Sequence, residues 1–446
     1  MLDLNKNFVD EVYDENGHVV DYTLKCPENF NFAYDVVDAI AAAEPDKRAL
    51  LWCNPAGEER IFTYGDLKYY SDKTANMLRE KGIKKGDMVM VILKRHYQFW
   101  FTILALHKLG AVIIPATFML QKHDIVYRAN AATIKAVVCT GDGDIAEQVD
   151  EALPECPSIE TRIIVNGKRD GWDDFMTDME KADSLSERVD TKYYEPMIVY
   201  FSSGTTGNPK MAMHAHTYAL AHLTTAKYWH DVTADSVHLT IADTGWGKAV
   251  WGKLYGEMFM ESCVFVYDYD KFHASEILSI LEKYKITSLC CPPTMFRFML
   301  QEDVSSYDLS SLKYCTIAGE ALNPDVFNKW YEETGIKLME AAVRRRPPCL
   351  LQTASAWSRS RALWVSLCRT TMWISLTKTA DRYLPVSPAR LSFIPSRRFL
   401  LVCSRAITAT RRRLPRRGTT VFIIRATPRG RMRTAIIGMS EEPTMS

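Results

Sequence analysis

Short apolar runs alternate with amphipathic stretches and with Gly, Pro and Asp turns from the start of the chain to about Glu340. That rhythm predicts an α/β fold, because strands and helices in alternation bury their apolar faces best as parallel sheets joined by crossover helices. From Asp66 to Lys81, the residues Leu67, Tyr70, Ala75, Met77 and Leu78 recur on one helical face, and Gly82 can end that helix. The turn KKGD then leads into a strand-like MVMVIL. Phe99 to Leu109 reads as a buried helix, and AVIIPA, AVVCT and TRIIV read as further strands. The polar stretch from Asn166 to Lys192 marks a boundary, which places one α/β subdomain over residues 1–190 and a second over 191–340. No internal repeat is visible.

Beyond Glu340 the pattern ends. Runs such as RRRPP, SRSRA, RRRLPRR and PRGRMR carry no sustained period of 2 or 3.6, and Trp357, Trp364 and Trp373 lie among them. The 446 residues are 47% hydrophobic and 24% charged, ordinary for a globular protein of two or more domains, but the net charge of +1 conceals a segregation. Residues 341–446 hold 20 Arg and 1 Lys against 1 Asp and 2 Glu, which leaves 34 of the 55 basic and 51 of the 54 acidic residues before that point. A basic tail of this kind is the ordinary footprint of a nucleic-acid or anionic-lipid binder, yet its tryptophans and aliphatics are foreign to a solvated tail.

The densest chemistry follows the apolar run Met197 to Phe201, which feeds directly into Ser202, Ser203, Gly204, Thr205, Thr206, Gly207, Asn208, Pro209 and Lys210. A strand entering a Gly/Ser/Thr loop can present backbone N–H groups and hydroxyls to phosphate oxygens, since glycine lets the backbone approach closely, and the lysine adds a cation. It is not a Walker loop, because Pro209 precedes the lysine and Met211 follows it.

The string YFSSGTTGNPK resembles the signature of the adenylate-forming superfamily, and its flanks extend the likeness to medium-chain, AMP-forming acyl-CoA synthetases. IFTYGDL, GIKKGDMVMVIL and LHKLGAVIIPA match the upstream pattern, while IADTGWGKAVWGKLYG, CCPPTMFRFML and TIAGEALNP match the acyl-site, backing and purine-site segments. The resemblance implies that Ser202, Ser203, Gly204, Thr205, Thr206, Gly207 and Lys210 hold the ATP phosphates, with Lys210 also catalytic. It implies that Gly319, Glu320 and Ala321 lie beside adenine and that Trp246, Gly245 and Thr294 border the carboxylic acid. A core tryptophan is the competing reading of Trp246. ATP, Mg²⁺ and coenzyme A are the implied cofactors, and a small-molecule carboxylic acid is the implied partner, with no nucleic acid and no stable membrane insertion. The implied fold is the N-terminal domain of an adenylate-forming enzyme, with parallel sheets flanked by helices, incomplete here and lacking the C-terminal lid domain.

The likeness stops after IKLME, where the family has G-[FY]-G-Q-T-E and this chain has Ala341, Ala342, Val343, Arg344, Arg345 and Arg346. Reading from the third base of each codon, Met372-Trp373-Ile374 must yield Val-Asp, because Met and Trp have one codon each. The same shift permits G-Q-T-E-T-T over Ala342 to Pro348, and over Thr420 to Ser446 it permits a string containing the family's T-G-D and G-R. The expectation is a slip of one reading frame near Glu340, with 341–446 an Arg-rich, out-of-frame tail that is not natively folded and a product defective in catalysis.

Two other functions stay open on the sequence: an adenylate-forming ligase that loads a carrier protein, and a non-enzymatic nucleic-acid binder acting through the basic tail. Salt-dependent DNA binding would separate the second from the rest. The 11 cysteines show no CxxC and no His partners at zinc spacing, so reduced and mostly buried thiols are expected. An acidic N-terminal stretch and the lack of a long apolar run lead to the expectation of a cytoplasmic protein.

Overall fold

The computed structural model describes residues 2–185, 187–204, 207–320 and 322–340, together with the backbone of five short strands beyond them. Along the chain the first strands are β1 Val9–Tyr13, β2 Val19–Leu24, β3 Arg48–Cys53 and β4 Glu59–Thr63. Next come β5 Met88–Ile92, β6 Val112–Pro115, β7 Ile134–Thr140, β8 Thr161–Val165 and β9 Asp173–Asp174. The following stretch adds β10 Pro196–Gly204, β11 Gly207–Ala215, β12 Val237–Thr240, β13 Cys263–Tyr267, β14 Ser288–Cys291, β15 Tyr314–Ile317 and β16 Leu338–Glu340.

These strands build two seven-stranded sheets, ordered β11-β10-β6-β5-β7-β8-β9 and β16-β15-β14-β12-β13-β3-β4. Within each sheet the neighbours run parallel, as in Val89↔Ile113 and Leu289↔Cys315; the antiparallel exceptions are the edge pairs β10–β11 and β3–β4. The α/β expectation is met, and its strands fall where the apolar runs placed them. Strands buried on both faces read as unbroken apolar text, which is why MVMVI of β5 and CVFVY of β13 do not alternate. Sheet membership does not follow the sequence boundary near residue 190. β10 and β11 complete the first sheet, while β3 crosses to pair with β13 (Leu50↔Val264) in the second.

Local chemistry explains the helix ends. The helix Tyr64–Glu80 starts at a capping box: Thr63 Oγ1 accepts from the Asp66 N–H at 3.0 Å, and Asp66 Oδ2 accepts from the Thr63 N–H at 2.8 Å. Gly82, at φ +87°, takes the left-handed conformation that follows it. The helix Gln98–Leu109 is buried on all sides, so even its Lys108 is fully enclosed. That ammonium lies 2.6 Å from Asp72 Oδ1 and 2.8 Å from Asp38 Oδ1.

Most of the Arg-rich stretch lies outside the described residues. Ala342–Val343 pairs antiparallel with Leu350–Leu351. In the separate unit 381–446, Ile407–Arg413, Thr420–Ala426 and Ala435–Gly438 form their own antiparallel three-stranded sheet. Among the described residues no helix is long and apolar enough to cross a membrane, and the eight described cysteines are free, seven of them buried.

The Lys108 pairing yields a direct expectation. Lys108→Met removes the cation between two buried carboxylates and should lower the urea unfolding free energy by about 3–5 kcal/mol, read by tryptophan fluorescence.

Candidate active site

In parallel sheets, ligands gather at the carboxyl ends of the strands, where loops diverge and backbone groups are free. Gly245, Trp246, Gly319 and Glu320 lie in loops that follow such ends, and Thr294 lies in the first turn of a helix that follows another.

Strand β10 runs into that hairpin. Its rungs pair Ser202 with Lys210 and Gly204 with Gly207, so Ser203 and Gly204 close one strand and Gly207 opens the other; Thr205 and Thr206 at the tip lie outside the described residues. The hairpin is held from below by the helix Lys122–Ala132. Tyr127 donates its hydroxyl to the Pro209 carbonyl at 2.9 Å, and the Arg128 guanidinium covers the Phe201 ring at 5.4 Å. Lys210 is half-buried on the returning strand, and the Ser202 hydroxyl donates to its carbonyl at 3.4 Å.

The segment after β12 is clamped in place. The Thr244 N–H donates to the Lys94 carbonyl at 3.1 Å, and the Gly245 N–H donates to Asp243 Oδ1 at 2.9 Å. Gly245 then presses against the chain just past β6: a Cβ there would sit 2.3 Å from the Thr117 nitrogen, so only glycine fits. This clamp leaves Trp246 at the N-cap of the helix Gly247–Gly252 with 48% of its surface exposed, which rules out the core reading of that tryptophan. The next residue, Gly247, faces the ring of Tyr200 from β10, so the β10–β11 hairpin and the Trp246 segment are neighbours.

A third group joins two motifs that are distant in sequence. Thr294 begins the helix Pro293–Met299 beyond β14, and Glu320 follows β15; the Thr294 hydroxyl donates to Glu320 Oε2 at 2.5 Å. Gly319, at φ +111°, makes the bend that turns Glu320 back toward Thr294. The Leu322 N–H is held by Glu340 Oε1 at 3.2 Å, whereas Ala321 lies outside the described residues.

Sequence reasoning missed the charges behind these loops. Lys94, Arg95 and His96 follow β5 directly and are nearly buried. Arg95 lies 3.5 Å from Asp243, and His96 lies between Asp268 (2.6 Å) and Asp142 (3.4 Å). Burial pulls the His96 pKa down, but hydrogen bonds to the two aspartates outweigh it and raise it to about 9. Burial, reinforced by the nearby Arg95, lowers Lys253 to about 7. The available signal was three consecutive basic residues at the carboxyl end of an apolar strand. A polar cavity of about 370 Å³ borders this cluster, lined by Trp52, Asn54, Arg60, His96, Asp142 and Asp268, and none of the sequence-predicted residues lines it.

On the returning arm of the hairpin and just past its end, burial lowers His214 and His216 to about 4. Both are neutral in the folded chain at pH 6, whereas the unfolded chain takes up their protons near 6.5. Stability tied to these two histidines is therefore complete above pH 6.5 and is lost as pH falls toward 4, by up to about 1.4 kcal/mol per pH unit for each group. Urea midpoints at pH 7.5, 6 and 5 should fall more steeply in the wild type than in His216→Gln.

The AMP-binding enzyme family matches residues 37–341. Similar curated proteins include the mitochondrial acyl-coenzyme A synthetases ACSM4 of Rattus norvegicus, 37% identical, and ACSM5 of Homo sapiens, 38% identical, each over 70% of this chain and 55% of the relative. The chain thus spans about half the length of the curated relatives it matches. A crystal structure of the anthranilate CoA ligase AuaEII with anthranoyl-AMP superposes with a TM-score of 0.67 at 18% identity, covering 90% of this chain and 70% of that one. An acyl-CoA synthetase of Brucella canis gives 0.64 at 22% identity, over 71% and 57% of the two chains, and both likenesses concern the fold. Matched through both seven-stranded sheets, over residues 37–341, the chain belongs to the AMP-binding enzyme family.

Proposed function

We propose that this chain carries the adenylating core of an AMP-forming acyl-CoA synthetase acting on medium-chain carboxylic acids. The observation that carries the reading is that the family match spans the β10–β11 hairpin together with the exposed Trp246 beside it. In this reaction a carboxylate attacks the α-phosphorus of ATP to give an acyl-adenylate and pyrophosphate, and the thiol of coenzyme A then displaces AMP.

The residues fit the parts of such a site. The glycines on either side of the hairpin tip let backbone N–H groups approach the β and γ phosphates, and Lys210 on the returning strand adds a cation for the charge that builds up on them. Magnesium would enter with the triphosphate, since it keeps several waters and needs few protein ligands. Gly319 and Glu320, braced by Thr294, form an edge suited to the purine. Trp246 stands where it can close the acyl end, with Gly245 holding it against the Thr117 backbone. Catalysis in this arrangement is positioning plus electrostatic stabilisation, with no covalent intermediate on the enzyme.

The same reading includes a slipped frame near Glu340, with residues 341–446 translated out of frame. Its support is the coincidence of two boundaries: the composition changes after Glu340, and the family match ends at residue 341. On this reading the chain as given is a defective product of a synthetase locus. Sequencing the DNA across the Glu340 codon tests the slip directly.

Activity is tested by acid-dependent pyrophosphate exchange and thioester formation with butanoate through dodecanoate. The 446-residue chain should be inactive and a frame-restored, full-length version active in both. Comparable activity from the chain as given would overturn the account of the tail, and a folded but inactive restored version would overturn the synthetase reading.

In the restored enzyme, Trp246→Ala should move preference toward longer or bulkier acids. Lys210→Ala should raise KM for ATP more than KM for the acid, with a rate loss on the order of 10²-fold or more. An unchanged chain-length profile would remove Trp246 from the acyl site.

A further inference from the structure

Beneath the second sheet, apart from the residues assigned above, three side chains from three different elements converge. His230 follows the helical turn Thr225–Trp229, His238 lies on β12, and Glu257 lies on the helix Tyr255–Phe259. All three are fully buried. One donor atom from each lies within 4.8 Å of the others: His230 Nδ1 is 2.8 Å and His238 Nε2 is 3.8 Å from Glu257 Oε1.

The hydrogen bonds around the cluster determine which nitrogen of His238 carries the proton. Ser288 Oγ donates its single proton to the His230 carbonyl at 3.1 Å, so it can only accept from His238 Nδ1 at 2.9 Å. His238 Nε2 is therefore unprotonated and accepts from the Thr240 hydroxyl at 2.8 Å, with Glu257 Oε1 3.8 Å away. A hydroxyl that accepts from the other ring nitrogen, as Ser288 does here, also orients a metal-binding imidazole.

One further atom is left over: Glu257 Oε2 is buried without a hydrogen-bond partner, whereas the His230 ring has the Cys290 thiol beside it. A carboxylate with one idle oxygen in a dry interior is costly, and coordination of a cation through both oxygens removes that cost. Thr240 Oγ1, 2.8 Å from His238 Nε2, supplies a neutral oxygen at the same point.

We propose that His230 Nδ1, His238 Nε2 and Glu257 form a buried structural site for one divalent ion of the zinc class, with the Thr240 hydroxyl as the nearest fourth donor. Two imidazoles and a carboxylate are a borderline donor set that suits zinc over magnesium or calcium. Bonds of about 2.0–2.2 Å need donors a little over 3 Å apart, so the observed separations require only small adjustments. The ion would tie the end of a helical turn, a central strand and a packed helix together, and enclosure means that it loads as the chain folds.

The test is metal content, which does not depend on activity. The 446-residue chain, and separately the frame-restored chain with the same three ligands, is produced with added zinc and assayed by elemental emission. About one zinc per chain is expected, kept by native protein in EDTA and released on unfolding. Glu257→Gln, which preserves shape, should lower occupancy about tenfold or more. Refolding with cobalt(II) should give visible d–d bands without a sulfur-to-cobalt charge-transfer band.

Four results overturn the proposal. One is native protein holding less than about a tenth of a zinc per chain, which leaves an imidazolium–carboxylate pair between His230 and Glu257. The others are zinc retained in both Glu257→Gln and His238→Gln, a thiolate charge-transfer band placing the ion on cysteines, and zinc lost from native protein to EDTA at once. If Glu257→Gln fails to fold, the stoichiometry and cobalt spectrum of the wild type decide.

Discussion

Buried charge at the carboxyl ends of the two sheets is the constraint from which the rest of the architecture follows. Lys94, Arg95 and His96 leave β5 of the first sheet and reach Asp142 beyond β7, Asp243 beyond β12, and Asp268 and Asp270 beyond β13. Charges so enclosed must be paired, because the desolvation of an isolated one would exceed any packing gain. Pairing across the sheets therefore sets their loops in one register. The Lys94 carbonyl holds Thr244, Thr244 brings Gly245 against Thr117, and Trp246 is left at the mouth of the next helix.

His96 and the pair His214 and His216 show two different fates of a buried histidine in this chain. His96, with two aspartates, is raised to about 9 against the effect of burial. His214 and His216 follow burial down to about 4 and stay neutral. The first kind ties sheets together by charge, and the second fills space with aromatic surface, as the 4.4 Å stacking of His214 on Tyr218 shows. The same residue type thus serves as ion-pair partner or as packing element, and only its neighbours decide which.

The antiparallel β10–β11 hairpin at the edge of a parallel sheet has a functional logic. A parallel strand would end in a crossover and carry its loop away, whereas a hairpin returns at once and places Lys210 opposite Ser202. Tyr127 and Arg128 on the helix beneath support the two arms at Pro209 and Phe201.

Local pattern determined the class of fold, strands such as β5 to β8, both ends of the helix Tyr64–Glu80 and the Gly/Ser/Thr-rich composition of the β10–β11 turn. These features depend on residues near in sequence: apolar runs of strand length, the Thr63–Asp66 capping box, and glycines where the backbone turns left-handed. Tertiary structure alone decided that β3 belongs with β13 across more than two hundred positions, so that a boundary near residue 190 divides neither sheet from the other. It alone showed that Trp246 is exposed, that Thr294 meets Glu320, and that the KRH run after β5 meets four aspartates. The physical reason is that periodicity reports which face a residue turns inward, while the identity of what it meets there depends on strand order. Strand order is set by the packing of the whole core and leaves no mark in any single segment.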